Sequence, residues 1–373
     1  MKKRVWLEVD LDVLSGNYGR IAGAVRPCVV IGVLKANAYG LGVGSVARSL
    51  YEAGCRCFGV ADLYEALELR AAVDADVQVL GGLLDDELEP AVKAGIIIPV
   101  ADIECARMIN SIAESHKMRA RCQFLIDSGM GRLGMPLEMS ADIIREAVRL
   151  PALDAEGIYS HFPMAYRDGS EYTNRQISLF LGLLSELADA GIVFRWRHIA
   201  NSDAINNFPR SYAAPFNAVR SGINLHGCFD KDGQRMLDMR PSLTLKSRLI
   251  AVRRMKAGDF IGYGCSYRLE RDGLVGVVAA GYADGLPLAL SNRGSLLVKG
   301  RRCAVLGRVS MDYTSIALDG VEDVSCGDEV VCLGRQGKSE ITVDEWARLK
   351  GTHSYDIICS FGTRVERCYT GGV

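Results

Sequence analysis

The sequence has no surplus of either charge. Forty-four Lys and Arg stand against forty-five Asp and Glu, a net charge of -1. Affinity for a phosphate backbone or an anionic membrane surface rests on a basic excess, so a general nucleic-acid or membrane-surface binder is excluded. Long apolar runs are missing too: nothing approaches the roughly eighteen residues of a membrane span. Met1-Lys2-Lys3 leads straight into V-W-L-E-V-D with no apolar core behind it, and the chain is expected in the cytoplasm. Of twelve cysteines only Cys55 and Cys57 lie close together, and C-x-x-C does not occur. Histidine is scarce, with five scattered at 116, 161, 198, 226 and 353. Neither a disulfide framework nor a metal site is expected from such spacing. A fixed-period repeat and a low-complexity linker are likewise absent.

What is present is a globular composition, 49% hydrophobic and 24% charged over 373 residues, a length that suits two domains. The first 230 or so residues alternate β-branched runs with amphipathic stretches. Strands are predicted at 28–35, 56–61, 77–82, 95–101, 121–127, 155–162, 194–201 and 218–225, with helices such as 63–73 and 175–190 between them. Eight strand–helix units in series predict a parallel (β/α)8 barrel of the TIM type. Beyond about residue 235 the texture changes to strands at 243–255, 274–282, 295–307 and 328–334, separated by Gly, Asp and Asn turns. There only 341–350 reads as a helix, with Thr342 or Asp344 as its cap. The expected division is a barrel over 1–235 and a mostly β domain over 236–373.

Chemistry in such barrels sits at the C-terminal ends of the strands. Those ends present Lys35, the Asp127–Arg132 loop, His161, Asn201-Ser202 and Arg220–Ile223. Lys35 is either a solvated rim residue or an amine that forms a Schiff base, which requires a partly dry pocket. Asn201-Ser202 offers side-chain donors, and Ser221-Gly222-Ile223 offers backbone N–H groups with a glycine that permits close approach. Either dipeptide alone is also a turn or a cap. Together with a strand-end lysine they describe a site for a phosphorylated aldehyde, pyridoxal 5′-phosphate (PLP).

V-L-K-A-N-A-Y-G (33–40), D-S-G-M-G-R-L-G (127–134), N-S (201–202), R-S-G-I (220–223), Y-G-C-S-Y (263–267), G-Y-A-D-G (281–285), G-R-V-S-M-D (307–312) and G-T-H-S-Y-D (351–356) follow one another in the chain. This ordered set resembles the motifs of the alanine racemases, from about Trp6 to Tyr369. The resemblance implies that Lys35 carries PLP and is one catalytic base, with Tyr39, Asn201, Ser202, Gly222, Ile223 and Tyr355 around the phosphate. It implies His161 beside the pyridine ring and Arg220 facing its nitrogen. Tyr263 would enter from a second subunit as the other base, with Met311 and Asp312. Arg132 would touch the cofactor's phenolic oxygen or the substrate carboxylate, and Tyr282 would narrow the entrance.

Racemisation removes the α-proton from one face and returns one to the other, so two bases on opposite sides suit it. A lysine amine and a tyrosine phenol serve if their pKa values fall from about 10 toward neutrality. An arginine at the pyridine nitrogen cannot surrender a proton to it, which favours return of the proton to the α-carbon. Four positions depart from the family pattern. Leu125 stands where many members carry a carbamylated lysine, Leu288 where an arginine is common, Ser310 where cysteine is frequent, and His226 where tyrosine is usual. The expectation is a PLP-dependent, homodimeric racemase with shared sites that interconverts L- and D-alanine and supplies D-alanine for peptidoglycan. Its rivals are a racemase of serine or of broader range and a non-catalytic PLP-binding barrel. The second domain with Tyr263 speaks against a carrier, which needs no second base.

Overall fold

The computed structural model describes residues 3–230 and 236–372; the expected boundary at Arg235 lies outside the described residues. The chain divides into two compact units, Leu14–Arg240 and Met1–Val13 together with Pro241–Val373. The first strand, β1 (Trp6–Asp10), belongs to the second unit and not to the barrel as the sequence suggested. It runs antiparallel to the strand Leu243–Met255 and parallel to Glu366–Thr370. The reason is in its side chains. Leu7 and Val9 are fully buried while Trp6, Glu8 and Asp10 are not, an alternation that suits a sheet with one wet face.

The barrel unit contains β2 (Val29–Val33), β3 (Cys57–Val60), β4 (Asp76–Val79), β5 (Ile98–Val100), β6 (Ala120–Asp127), the two-residue β7 (Met135–Pro136), β8 (Leu153–Tyr159), β9 (Trp196–His198) and β10 (Ala218–Ser221). Parallel ladders run β10-β2-β3-β4 and β5-β6-β8-β9. A parallel bridge between Gln78 and Ile97 joins β4 to β5. Backbone bonds from Asn217 N to Arg197 O (3.1 Å) and from Arg220 N to Ala200 O (2.9 Å) join β9 to β10. The ring of eight predicted strands therefore closes, and the barrel expectation holds. These strands are buried on both faces, β6 over nearly its whole length, as parallel strands under helices must be. Asp62, Asp102 and Ser170 cap three of the covering helices, each side chain accepting the N–H three residues on and so satisfying an orphan donor.

The second unit is built on β11 (Leu243–Met255), β12 (Phe260–Ile261), β13 (Tyr267–Arg268), β14 (Gly273–Val278), β15 (Ser295–Val298), β16 (Arg301–Ala304), β17 (Thr314–Ala317), β18 (Glu329–Gln336), β19 (Ser339–Ile341) and β20 (Glu366–Thr370). Its main sheet has the order β16-β15-β18-β11-β1-β20, with β14 beside β11 and β17 beside β14. Two expectations are refined. The run 295–307 is an antiparallel hairpin turning at Lys299-Gly300, both at positive φ. The run 274–282 ends as a strand at Val278, and Tyr282 opens a 3₁₀ turn. Thr342 caps Val343–Lys350, accepting from Glu345 N at 3.1 Å. A second helix, Ser354–Ile358, is too short to show a periodic pattern.

Candidate active site

In the barrel unit the side chains predicted to be functional gather at one end because each lies at or after the C-terminal end of a strand. After β2 the backbone winds left-handed: Ala36, Asn37, Ala38 and Tyr39 all have φ between 53° and 57°. This turn leaves Lys35 exposed at the rim and buries Tyr39. The Tyr39 ring meets His226 edge-on, with centroids 5.1 Å apart, which gives His226 a packing partner. Tyr39 also reaches β10. A Cβ on Gly222 would stand 2.0 Å from the Tyr39 hydroxyl oxygen, so only glycine admits the phenol there. Gly222 N donates to Ser202 Oγ at 2.9 Å, and Asn201 caps the helix Ser202–Asn207 by accepting from Ala204 N at 3.0 Å. Tyr39, Ser202 and Gly222, with Ile223 next in the chain, are thus drawn together from three strand ends. Hydroxyls and amide N–H groups packed around a glycine are a donor set suited to a phosphate.

Arg220 is the centre of the polar barrel core. Its guanidinium is buried and donates to the carbonyls of Ser160 (2.6 Å), Ile199 (3.2 Å) and His198 (3.5 Å). It also meets His198 Nδ1 at 2.5 Å and His161 Nδ1 at 3.2 Å. Every one of these partners is neutral, and no carboxylate among the described residues pairs with it. Burial lowers its pKa to about 10, which still leaves it charged at neutral pH. Behind it, His198 Nε2 lies 2.8 Å from Gln123 Oε1, which also accepts from Gln78 Nε2 at 3.2 Å. An amide oxygen only accepts, so His198 carries its proton on Nε2 and offers Nδ1 to the arginine. Tyr159 stacks on His198 with centroids 5.1 Å apart. His198 and Gln123 were not predicted as functional; a histidine and a glutamine inside strands buried on both faces were the available signal.

His161 lies in the loop after β8. Burial first, then the charges of Arg220, Arg132 and Lys35, push its pKa down to about 3, so it is neutral at working pH. Lys35 follows β2 and Arg132 follows β6, which puts both at the C-terminal end of the barrel strands. Arg132 is carried by a loop organised around Asp127, whose Oδ1 accepts from Gly129 N (2.9 Å), Met130 N (2.7 Å) and Gly131 N (3.1 Å). Burial raises the Asp127 carboxyl, but these N–H groups outweigh it and hold the pKa below the ordinary value. Leu125 is buried on β6, and no hydrogen bond or ion pair holds Arg132 among the described residues.

In the second unit, Tyr263, Tyr282, Met311 and Asp312 sit on neighbouring turns. Tyr282 N donates to Ser310 O (2.9 Å) and Ala283 N to Met311 O (3.1 Å). A Cβ on Gly281 would stand 2.2 Å from Ser310 O, so glycine is what lets the two turns touch. Ser310 fastens its own turn by accepting from Tyr313 N (3.1 Å) and donating to Tyr313 O (2.8 Å). Asn292 ties this region to the Tyr263 turn, donating to Ser266 O (3.0 Å) and accepting from Gly307 N (2.6 Å). Arg364, missed in the sequence, clamps the group: it binds Asp284 through Nε (2.7 Å) and Asp312 through a terminal nitrogen (2.8 Å). Tyr263 is 71% exposed, Met311 52% and Tyr282 46%. Leu288 is also exposed. Tyr355 stands in the first turn of Ser354–Ile358, edge-on to His353.

Two buried histidines make a stability prediction. Burial drives the His226 pKa down to about 3 and that of His198 well below its ordinary value, the charge of Arg220 adding to the latter. Unfolding restores an ordinary pKa near 6.5. The unfolded chain then binds the extra protons, so stability is whole above about pH 6.5 and falls as the pH drops below it. Each histidine costs about 1.4 kcal/mol per pH unit. Urea unfolding at pH 7.5 and pH 5 should therefore show a loss of about 4 kcal/mol from this pair alone, and His226→Phe should recover half of it. A pH-independent midpoint would refute the buried neutral assignment.

The fold is an eight-stranded parallel barrel, with the predicted site residues of that unit at the C-terminal strand ends, and a second, β-rich unit. Family models agree: one described as "Alanine racemase, N-terminal domain" matches residues 9–229, and "Alanine racemase, C-terminal domain" matches 242–369. The alanine racemase of Desulforamulus reducens is 37% identical over 376 residues, covering all of both chains. The structure of the alanine racemase of Clostridium difficile 630 superposes with a TM-score of 0.93 at 32% identity, covering 99% of this chain and 96% of that one. An alanine racemase structure from Bartonella henselae, with covalently bound pyridoxal phosphate, superposes at 0.88 with 26% identity, over 99% of this chain and 100% of its own. The chain belongs to the alanine racemase family of isomerases. No helix among the described residues is long and apolar enough to cross a membrane.

Proposed function

We propose that this chain interconverts L- and D-alanine with PLP as cofactor, as a cytoplasmic homodimer with shared sites that supplies D-alanine for peptidoglycan. The observation that carries the reading is Arg220, a buried guanidinium with no carboxylate partner among the described residues, on the same barrel end as Lys35 and the Tyr39–Gly222 cradle. The residues fit the cofactor. Lys35 would hold it covalently, Tyr39, Asn201, Ser202, Gly222, Ile223 and Tyr355 would surround its phosphate, His161 would lie against its ring, and Arg220 would face its pyridine nitrogen. When bound, PLP withdraws electrons from the substrate α-carbon and makes its C–H acidic. Arg220 keeps its protons, because a guanidinium does not deprotonate at working pH, so the proton lost from carbon returns to carbon. The neutral His161 and His198 orient that guanidinium without offering a competing negative charge.

The two protons are handled by Lys35 Nζ on one face and the Tyr263 hydroxyl on the other, the latter from the partner chain. Arg132 would take the substrate carboxylate, while Met311 and Asp312 border the substrate and Tyr282 narrows the approach. Tyr355 over the phosphate end limits the side chain to a small one. Serine, larger by one hydroxyl, is the nearest competitor, since an apolar pocket rejects an added hydroxyl only about a hundredfold. Racemisation of alanine, serine, lysine and arginine by the purified PLP-loaded protein tests this. Alanine should lead, serine should follow within about two orders of magnitude, and the two long side chains should not turn over. Bound PLP with no alanine racemisation would mean a carrier; faster serine turnover would mean a serine racemase.

A further inference from the structure

The left-handed turn that carries Lys35 and Tyr39 contains no glycine over Ala36–Tyr39. Residues with a Cβ avoid this conformation, at about 1–2 kcal/mol each, so four in a row persist only where surrounding bonds hold them. The C-terminal part of the turn is well fastened: Ala38 N donates to Leu34 O (2.9 Å), Gly40 N to Ala36 O (2.7 Å) and Val43 N to Asn37 Oδ1 (2.7 Å). The entry is fastened from elsewhere. Ala36 N, next to Lys35, donates to Glu65 Oε1 at 2.5 Å, and the other carboxylate oxygen accepts from Ala61 N at 2.8 Å. Glu65 itself is fixed in the first turn of Leu63–Ala72, where its N–H donates to Asp62 Oδ1 at 2.9 Å. One carboxylate therefore joins the loops that follow β2 and β3, with an ionised acceptor on each N–H. Such bonds are shorter and stronger than neutral ones.

We propose that Glu65 is a positioning residue of the active site: its carboxylate locks the left-handed turn and thereby sets where Lys35 and Tyr39 meet the cofactor. This rests on the reading that Lys35 and Tyr39 hold PLP. In Glu65→Gln one oxygen becomes an NH2 that faces an N–H, and the bridge between the two loops breaks. In Glu65→Asp the charge stays but the reach shortens by one methylene, so one of the two bonds survives. Glu68→Gln, an exposed carboxylate three residues along the same helix, is the control.

Hydrogen exchange of the full chain, with and without PLP, reads the turn directly. In Glu65→Gln the amides of 36–40 should exchange about ten- to a hundredfold faster, with the rest of the barrel unchanged, the range expected for losing a charge-assisted bond. PLP should dissociate from the same variant about tenfold or more faster, followed by its absorbance. Glu65→Asp should fall between, and Glu68→Gln should match the wild type. Unchanged exchange at 36–40 in both Glu65 variants, or an increase spread evenly over the barrel, overturns the proposal. If Glu65→Gln does not fold, Glu65→Asp decides by the same criterion. Exchange in the PLP-free chain tests the clamp independently of the cofactor. Borohydride labelling of a lysine other than Lys35 would remove the site reading while leaving the clamp standing.

Discussion

Lys35→Ala is expected to abolish covalent attachment of PLP and to lower racemisation by about a thousandfold or more. Two functions leave with one amine. The side chain would be the point of covalent attachment, and it would be the base on one face of the α-carbon; general-base catalysis alone is worth about 10²–10⁴. The amine stands at the strand end that carries the other site residues of the barrel. The turn Ala36–Tyr39 leaves Lys35 exposed at the barrel rim. The barrel itself should survive the change, because Lys35 is exposed. Borohydride reduction of the wild type followed by peptide mapping should place the label on Lys35, and the variant should take up none. A label on any other lysine would overturn the assignment of every cofactor contact built around that strand end.

The barrel was legible because its strands are buried on both faces and so read as compact apolar runs in regular alternation with amphipathic helices. The place of β1 was not, since residues 6–10 precede the eight predicted strands and fall within the expected bounds of the barrel, 1–235; its ladders to Leu243–Met255 and Glu366–Thr370, far off in the chain, assign it to the β unit. The strand-end residues were legible for the reason the barrel was: once the strands are placed, Lys35, Arg132, His161, Asn201 and Arg220 all fall after or at strand ends. What holds them was not. Nothing local in K-A-N-A-Y announces a left-handed turn, and the carboxylate that fastens it comes from 29 residues away. His198 meets Arg220, and Gln123 meets His198, only because the strands that carry them close into a ring. Arg364 reaches Asp284 across 80 residues. Residues that meet substrate carry their chemistry in their type and place, whereas those that orient them act through contacts visible only in the fold.

Mixing two inactive variants should restore about a quarter of wild-type activity. The reading places Lys35 on the barrel of one chain and Tyr263 on the β unit of its partner. Tyr263 at 71%, Met311 at 52% and Tyr282 at 46% exposure leave a cluster of aromatic and apolar side chains on the surface of their unit. A patch of that kind is suited to cover by another chain, which supports the reading. In a two-fold dimer each site then draws one base from each subunit. Homodimers of Lys35→Ala and of Tyr263→Phe each lack one base at both sites and should be nearly inactive. Unfolding the two variants, mixing them in equal amounts and refolding with PLP should make about half of the dimers mixed. In every mixed dimer one site has lost both bases and the other has kept both, so one site in about four works across the population. The measurement is the racemisation rate per mole of protein chain, against each variant refolded alone. Mass spectrometry of the intact assembly establishes that mixed dimers formed. If they form and activity does not return, Lys35 and Tyr263 serve the same site from one chain, and the placement of Met311 and Asp312 across the two-fold falls with it.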